Sequence, residues 1–256
     1  KKTTFNNKFL GMLEILILSI VQGISEFIPI SSSSHLILVA EYFKFSNSDL
    51  TLDVSLHIGS FFAVIFYFRF EIIRFIENKD LFIKILFSSI PVILFGYILI
   101  KFDLIEQLRN IKIIGWTTLI FGILLFISDK FKTEKNLNQN FNFKTAILIG
   151  FFQIFSLIPG VSRSGITITS ARFLNFNRID AAKISFLLSI PTLAAVSIYG
   201  LRKIIISDSI QFSFLNFFAI ILSFIFSYIT IKYFLIYIKK FSLNIFVIYR
   251  ICLGLI

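Results

Sequence analysis

The apolar residues of this chain fall in long blocks that are broken by few charges, and this pattern most limits what the chain can fold into. Two of the blocks, residues 81–100 and 111–128, approach the roughly 20 residues that an α-helix needs to cross the hydrocarbon core of a bilayer. Charged residues make up 15% of the 256 residues and hydrophobic residues 57%, whereas a soluble domain carries about 25% charged residues. The sequence therefore predicts a polytopic membrane protein and excludes a soluble globule.

The net charge of +11, from 25 Lys and Arg against 14 Asp and Glu, also fits a membrane protein. The basic residues gather in short loops between apolar blocks, where anionic lipid head groups attract them. A nucleic-acid partner is therefore not expected. The single cysteine, Cys252, excludes an intrachain disulfide and a cysteine-rich metal site.

Ten apolar segments predict an all-α bundle of membrane helices that forms one integral-membrane domain over residues 1–256. They run over residues 9–30, 36–45, 54–70, 81–100, 111–128, 145–158, 164–174, 184–201, 212–238 and 241–256. Polar loops are predicted at residues 69–80, 101–112 and 129–144. Residues 69–84 contain four Lys or Arg, residues 101–112 three and residues 129–144 four. These nearly equal counts do not orient the termini by the positive-inside rule.

Two apolar segments are interrupted at membrane depth by Ile-Pro followed by a serine cluster. The first interruption is Gln22–His35 (QGISEFIPISSSSH), and the second is Gln153–Gly165 (QIFSLIPGVSRSG). A similar distance of 35 or 37 residues then leads from Pro29 to Val64 and from Pro159 to Val196. We interpret this as a weak internal repeat with one broken or re-entrant helix in each half, the halves covering about residues 9–128 and 145–256.

Paired interruptions predict a binding site where the broken helices meet. Irregular backbone inside a bilayer is tolerated only where it is buried in protein or lines a wet cavity, and such pairs often belong to an inverted repeat. Proline removes an N–H group, and the half-helix that follows each break begins with backbone donors that attract anions. The sequence therefore predicts an anion site. Two Pro-kinked helices with serine side chains bonded back to the helix are the alternative.

Glu26, His35 and Arg163 are the ionisable residues of the two breaks. A charge in the hydrocarbon core costs at least about 2.5 kcal/mol, so an intramembrane ionisable group is a functional candidate. The Arg163 guanidinium can hold phosphate oxygens with two parallel hydrogen bonds, and the surrounding residues 159–165 (PGVSRSG) add hydroxyls and flexible backbone. A structural Glu26–Arg163 ion pair and a buried His35 satisfied by local hydrogen bonds remain alternatives, and packing or cavity lining is the interpretation of His57.

Together the two motifs closely resemble the undecaprenyl-diphosphate phosphatase family, the bacitracin-resistance type of integral-membrane lipid phosphatase. The resemblance covers nearly the whole chain and rests on residues 22–35, 159–165, 56–60 and 181–191. There are two departures from the family pattern. Gln22 stands where the family has Glu or Gln and, being neutral, cannot act as an acid or an anionic metal ligand. Ser33-Ser34 stands where Thr-Gly is common.

The resemblance implies hydrolysis of undecaprenyl diphosphate to undecaprenyl phosphate and inorganic phosphate, which recycles the carrier of envelope polymers. It implies a bacterial cytoplasmic-membrane location, with polyprenyl diphosphate and membrane lipids as partners and a homodimer left open. No tightly bound cofactor is expected, and assistance by an Mg²⁺ or Ca²⁺ ion that bridges the diphosphate is left open. The implied catalytic residues are Glu26, Ser32, His35 and Arg163. The implied substrate-binding residues are Gln22, Ser31, Ser33, Gly160, Ser162, Ser164, Gly165 and Thr167.

In the resulting hypothesis, Arg163 holds the diphosphate and Glu26 is the general base on either Ser32 or a water. His35 orients the nucleophile or protonates the leaving oxygen, and we favour Ser32 as nucleophile because the broken helix fixes its hydroxyl. A flippase or small-anion transporter is the alternative, since broken helices that meet at the midplane are also a transporter feature. Glu26 and His35 favour hydrolysis, because anion transport gains little from a carboxylate beside the anion. A purely structural membrane scaffold is disfavoured, because burying these charges in the membrane costs free energy without serving a function.

Overall fold

The structure, a computed structural model, describes residues 2–45, 50–77, 79–102, 104–206 and 214–256, excluding the side chains of residues 2–10, 74–77, 105 and 106. The described residues contain no β-strand beyond an isolated bridge between Lys135 and Phe176, so the predicted all-α fold is confirmed. The helices are α1 (Lys2–Ser25), α2 (Ser32–Phe43), α3 (Leu50–Tyr67), α4 (Arg69–Glu77), α5 (Lys79–Lys101), α6 (Leu104–Leu108), α7 (Ile111–Asp129), α8 (Leu137–Asn140), α9 (Phe143–Gln153), α10 (Arg163–Phe173), α11 (Arg178–Ile206), α12 (Phe214–Lys240) and α13 (Asn244–Leu255).

Five of these helices, α3, α5, α7, α11 and α12, are long and apolar enough to cross a bilayer. Their outer faces expose large apolar side chains such as Phe87, Trp116 and Ile198, of which 53%, 67% and 68% is exposed. Such wide apolar surfaces are unusual on soluble monomers and suit contact with lipid tails. The chain is therefore a multi-pass membrane protein, as its apolar blocks predict.

The polar loops predicted at residues 69–80, 101–112 and 129–144 contain the short helices α4, α6 and α8. Charged residues mark where the chain leaves the hydrocarbon, but they do not prevent helix formation. In α4, the apolar residues Phe70 and Ile73 are three residues apart and so share a helix face, with charged residues between and beside them, which is the pattern of a helix lying at an interface. The predicted apolar segment 212–238 starts at residues outside the described ones, and α12 is described from Phe214.

The chain leaves the helical conformation at both breaks, which contradicts the alternative of two kinked helices. Helix α1 ends at Ser25 and α2 begins at Ser32, whereas α9 passes through a 3₁₀ turn before α10 begins at Arg163. The residues that precede the half-helices, Ser31 and Ser162, have φ angles of 79° and 68°, in the left-handed region that non-glycine residues seldom adopt. The same unusual backbone geometry therefore starts both half-helices.

A common spacing of 131 residues relates the two breaks. It separates Ser31 from Ser162, and it separates Lys44 from Asn175, two further residues with positive φ just beyond the half-helices. Aligning the breaks on their prolines gives a register one residue shorter, because two residues follow Pro159 before the cap serine and only one follows Pro29. The breaks therefore align on their cap serines.

The 131-residue spacing relates α1 to α9, α3 to α11 and α5 to α12, and the related helices make matching contacts. Helix α1 packs on α12 and α9 packs on α5, while α3 contacts both α12 and α11, and α11 contacts α5. Glycines allow the closest approaches: a Cβ atom at Gly150 would lie 2.1 Å from the Ser88 carbonyl oxygen, and one at Gly59 would lie 2.4 Å from the Ile220 carbonyl oxygen. Small residues at such crossings are typical of membrane bundles. The inverted orientation of the halves stays a prediction.

A buried carboxylate anchors the far end of the second half-helix. Arg178 donates to Asp129 through Nε at 2.7 Å and Nη2 at 2.9 Å, and the backbone N–H of Leu243 donates to the same carboxylate at 3.2 Å. Arg172, at the end of α10, donates to the carbonyl oxygen of Phe131 at 2.6 Å. These bonds join the ends of α7 and α10 to the starts of α11 and α13, and so they fix where α10 points.

Candidate active site

The two breaks meet and bring Glu26, Ser32 and Arg163 into one cluster. The Ser32 hydroxyl donates to Glu26 Oε2 at 2.6 Å, and Arg163 Nη2 donates to Glu26 Oε1 at 2.9 Å. Ser32 and Arg163 are the first residues of α2 and α10, so the positive ends of both half-helices lie at the cluster. The ion pair is buried, with 6% of the Glu26 side chain and 12% of the Arg163 side chain exposed.

Neighbouring groups fix the orientation of both charges. Gln22 Nε2 donates to Glu26 Oε2 at 3.2 Å and to the Ser60 hydroxyl at 3.4 Å. Arg163 Nη1 donates to the carbonyl oxygen of Ser185 at 3.2 Å, which ties the guanidinium to α11. A hydroxyl within reach of a carboxylate that is itself oriented by further donors is the arrangement of a nucleophile and its general base.

A polar cavity of about 190 Å³ opens at this cluster. It is lined by six of the predicted site residues: Glu26, Ser31, Ser32, Ser33, Ser162 and Arg163. It is also lined by His57, Gln153, Ser156 and Thr192, which the sequence analysis did not assign to the site. We call this space the polar cavity. One acid, one guanidinium, one imidazole and several hydroxyls suit a small, highly charged anion such as a phosphoryl group.

Two of the remaining predicted residues hold the half-helices together rather than facing the polar cavity. The Ser164 hydroxyl donates to the carbonyl oxygen of Ile28 at 2.8 Å, which joins α10 to the first break. The Thr167 hydroxyl contacts the Ser185 hydroxyl at 2.7 Å and so joins α10 to α11. Both side chains support the geometry of the site from behind.

The two predicted glycines provide space where the second break packs against α7 and α13. Gly160 has a φ of +94°, and a Cβ atom there would lie 2.0 Å from Thr117 Oγ1. A Cβ atom at Gly165 would lie 2.8 Å from Arg250 Nη1. A side chain at either position would move the break away from its supports, and Gly160 would also be strained by its backbone conformation.

His35 does not join the cluster, although helical spacing places it on nearly the same face as Ser32. Its Nδ1 lies 2.6 Å from the Ser31 carbonyl oxygen, and its Nε2 lies 2.6 Å from the Tyr249 hydroxyl, on whose ring it stacks. These contacts draw the imidazole to the opposite side of the first break, toward α13. There it lines a second, apolar cavity of about 390 Å³ together with Tyr249 and Phe246. Its catalytic role stays a prediction, and any direct contact with the nucleophile would require the ring to move.

The imidazole in the polar cavity belongs to His57 of α3. Its Nδ1 lies 2.8 Å from the Asp53 carbonyl oxygen, so Nδ1 carries the proton and Nε2 is left for a ligand. Packing or cavity lining is the interpretation that the sequence gives for His57, but a lone histidine in an apolar helix gives no signal for which cavity it lines.

Arg250 of α13 connects the two breaks behind the cluster. It is fully buried and donates to the carbonyl oxygens of Gly160 at 2.8 Å, Val161 at 3.1 Å, and Pro29 and Thr118 at 3.2 Å. No described carboxylate pairs with it, so backbone dipoles alone solvate the cation. Arg250 lies outside both motifs, so the motifs did not reveal it, although an arginine within an apolar helix is itself a functional signal.

Replacing Arg250 by methionine is expected to lower the free energy of unfolding by about 2–4 kcal/mol, because the carbonyl groups that the guanidinium satisfies become unpaired. Thermal unfolding in detergent should show this as a decrease in Tm of about 4–16 °C. Activity should fall about 10-fold in the protein that stays folded, since the breaks lose their common support. Exposed Arg202 is the matched control, and Arg202→Met should leave both values unchanged; equal Tm values for Arg250→Met and wild type would contradict the anchoring role.

The described lining of the polar cavity contains two side chains of the types that commonly hold a divalent ion, Glu26 and His57. The described residues contain no group of three or more His, Cys, Asp or Glu side chains that could hold one. Glu26 is the carboxylate that lines the cavity, and its two oxygens accept from Arg163 and Ser32. An Mg²⁺ or Ca²⁺ ion that accompanies a diphosphate stays a separate prediction.

Comparisons with known proteins agree along nearly the whole chain. The family model described as bacitracin resistance protein BacA matches residues 15–256. The undecaprenyl-diphosphatase of Pelagibacter ubique is 53% identical over 249 residues, which cover 97% of this chain and 97% of that protein. The undecaprenyl-diphosphatases of Saccharophagus degradans and Teredinibacter turnerae are 39% and 40% identical, and both matches cover 96% of this chain and 96% and 98% of the relatives. Both breaks lie inside the family match.

Proposed function

The chain belongs to the BacA bacitracin resistance family, and on that premise we propose that it hydrolyses undecaprenyl diphosphate to undecaprenyl phosphate and inorganic phosphate. The observation that carries the proposal is the hydroxyl of Ser32 bonded to Glu26 beside the Arg163 guanidinium. The reaction regenerates the lipid carrier for peptidoglycan and other envelope polymers, and it accounts for bacitracin resistance. We propose the bacterial cytoplasmic membrane as its location, because the lipid carrier is the proposed substrate; a homodimer stays a prediction.

The chemistry starts with the diphosphate in the polar cavity, where Arg163 and the N-terminal N–H groups of α2 and α10 offset its charge. Glu26 accepts the proton of the Ser32 hydroxyl, and Ser32 Oγ attacks the terminal phosphorus. The bond from that phosphorus to the bridging oxygen breaks, and its electron pair leaves on undecaprenyl phosphate. Water then attacks the phosphorus of the phosphoserine and passes one proton to a phosphoryl oxygen. The bond from phosphorus to Ser32 Oγ breaks, Glu26 returns its proton to that oxygen, and inorganic phosphate is released.

Hydrolysis explains the cluster better than transport of an anion. A carboxylate 2.6 Å from a hydroxyl assists deprotonation of that hydroxyl. The same carboxylate beside a transported anion would repel it. The apolar cavity and the exposed aliphatic faces suit an isoprenoid tail, but they also suit ordinary lipid, so the argument for hydrolysis rests on the polar cluster.

The test is phosphate release by the purified, detergent-solubilised protein given undecaprenyl diphosphate. We expect one inorganic phosphate per molecule of substrate at a kcat between about 1 and 1,000 s⁻¹. Inorganic pyrophosphate is the matched head-group control and should turn over slowly, because it lacks the tail that positions the diphosphate. Movement of intact lipid diphosphate across a vesicle membrane without phosphate release would favour the transporter instead.

A further inference from the structure

Gln153 presents an unused amide to the polar cavity. Its side chain is fully buried, and neither Nε2 nor Oε1 has a hydrogen-bond partner among the described residues. The residue lines the polar cavity beside the cluster that contains Ser32 and Arg163. Buried polar groups in native proteins are nearly always paired, and an unpaired one at a cavity wall calls for a functional explanation.

Comparison with Gln22 indicates what this amide lacks. Gln22 lies 131 residues before Gln153, the spacing that relates the two breaks, and its amide donates to Glu26 one helical turn later. The residue one turn after Gln153 is Leu157, which offers no carboxylate. The second break therefore repeats the donor of the first break without its anionic acceptor.

We propose that Gln153 is a substrate-binding residue whose Nε2 donates to a non-bridging oxygen of the lipid diphosphate, in the place that Glu26 fills for Gln22. This inference rests on the proposed function, because it names a contact within the same site. A neutral amide adds a directed donor while leaving the charge of the cavity unchanged. The diphosphate thus contacts both sides of the second break, through Gln153, which ends α9, and through Arg163, which begins α10.

A substitution that removes the amide separates this role from a structural one. Gln153→Met keeps the length of the side chain and replaces an unpaired buried amide with an apolar group, which should leave Tm unchanged or raise it. The same change should raise KM about 10- to 100-fold with kcat altered less than about 3-fold, because it removes binding shared by the ground and transition states. Gln153→Glu should raise KM further, since its carboxylate repels the diphosphate.

The matched control is Asn244→Leu, because Asn244 Oδ1 is likewise buried without a partner among the described residues but Asn244 does not line the polar cavity. This variant should leave KM unchanged. Wild-type KM in Gln153→Met would overturn the inference. So would a lower Tm in Gln153→Met with KM and kcat both following the loss of folded protein, since that is the signature of a structural residue.

Binding without turnover distinguishes failure of this inference from failure of the proposed function. On a Ser32→Ala background, titration with undecaprenyl diphosphate in detergent gives Kd directly, and adding Gln153→Met should weaken Kd about 10- to 100-fold. An unchanged Kd overturns the role of Gln153, whatever the wild-type enzyme does. Absence of phosphate release by wild type contradicts the proposed function, whereas the comparison of Kd values still decides whether Gln153 contacts the diphosphate.

Discussion

Replacing Ser32 by alanine is expected to lower kcat by at least about 1,000-fold, the scale seen when a catalytic nucleophile is removed. The change deletes the hydroxyl that donates to Glu26 and leaves Arg163 paired with the same carboxylate, so the fold and the affinity for substrate should persist. Phosphate release and Kd, measured on the same preparation, check both halves of this expectation. Ser33→Ala is the matched control: Ser33 also lines the polar cavity, but its hydroxyl contacts Ser31 at 3.4 Å, and its loss should reduce kcat less than about 10-fold.

The covalent intermediate provides a separate test of the same residue. Wild-type enzyme denatured during turnover of substrate labelled on the terminal phosphate should carry the label on the peptide that contains Ser32, and the Ser32→Ala enzyme should carry none. Rapid turnover with no labelled peptide would contradict serine attack. It would favour direct attack by a water that Glu26 deprotonates, a step that the same carboxylate could perform.

The contact between Glu26 and Arg163 could be predicted from the sequence, because charged residues inside a bilayer are rare and are nearly always paired or functional. Proline and consecutive serines interrupt an apolar segment only where protein or water satisfies the freed backbone. Charges placed in two such interruptions need each other or a ligand. The same reasoning gave the all-α fold, since apolar blocks of bilayer length have few alternatives.

The division of roles between the two histidines could not be predicted, because it depends on contacts between distant helices. His35 lies within a serine cluster, yet Tyr249 of α13 and the Ser31 carbonyl hold its ring away from the polar cavity. His57 lies in an apolar stretch, and only the packing of α3 brings it to that cavity. The role of Arg250 could not be predicted for a related reason. Its partners are backbone carbonyl oxygens, which every residue has, so the sequence does not show which of them the guanidinium contacts.

Replacing Arg163 by lysine is expected to reduce kcat/KM by about 100- to 1,000-fold, although the positive charge remains. The guanidinium donates through Nη1 to the Ser185 carbonyl oxygen and through Nη2 to Glu26. These two hydrogen bonds fix the orientation in which the planar group can contact phosphate oxygens. A single ammonium group cannot reach both partners and contact a phosphoryl group in the same geometry. Lysine is a sharper test than alanine, since alanine would also leave the Glu26 charge buried without a partner and so destabilise the fold.

The control for this substitution is Arg178→Lys, which removes a comparable two-point contact with Asp129 far from the polar cavity. It should lower Tm while the kcat/KM of the folded enzyme stays within about 3-fold of wild type, since Arg178 contacts no residue of the polar cluster. Arg163→Lys should show the reverse pattern, with a small change in Tm and a large loss of kcat/KM. If Arg163→Lys instead lowers Tm and keeps kcat/KM within 10-fold of wild type, the Glu26–Arg163 pair is a structural ion pair. In that case the diphosphate must be held by the hydroxyls and helix N-termini of the two breaks without the guanidinium.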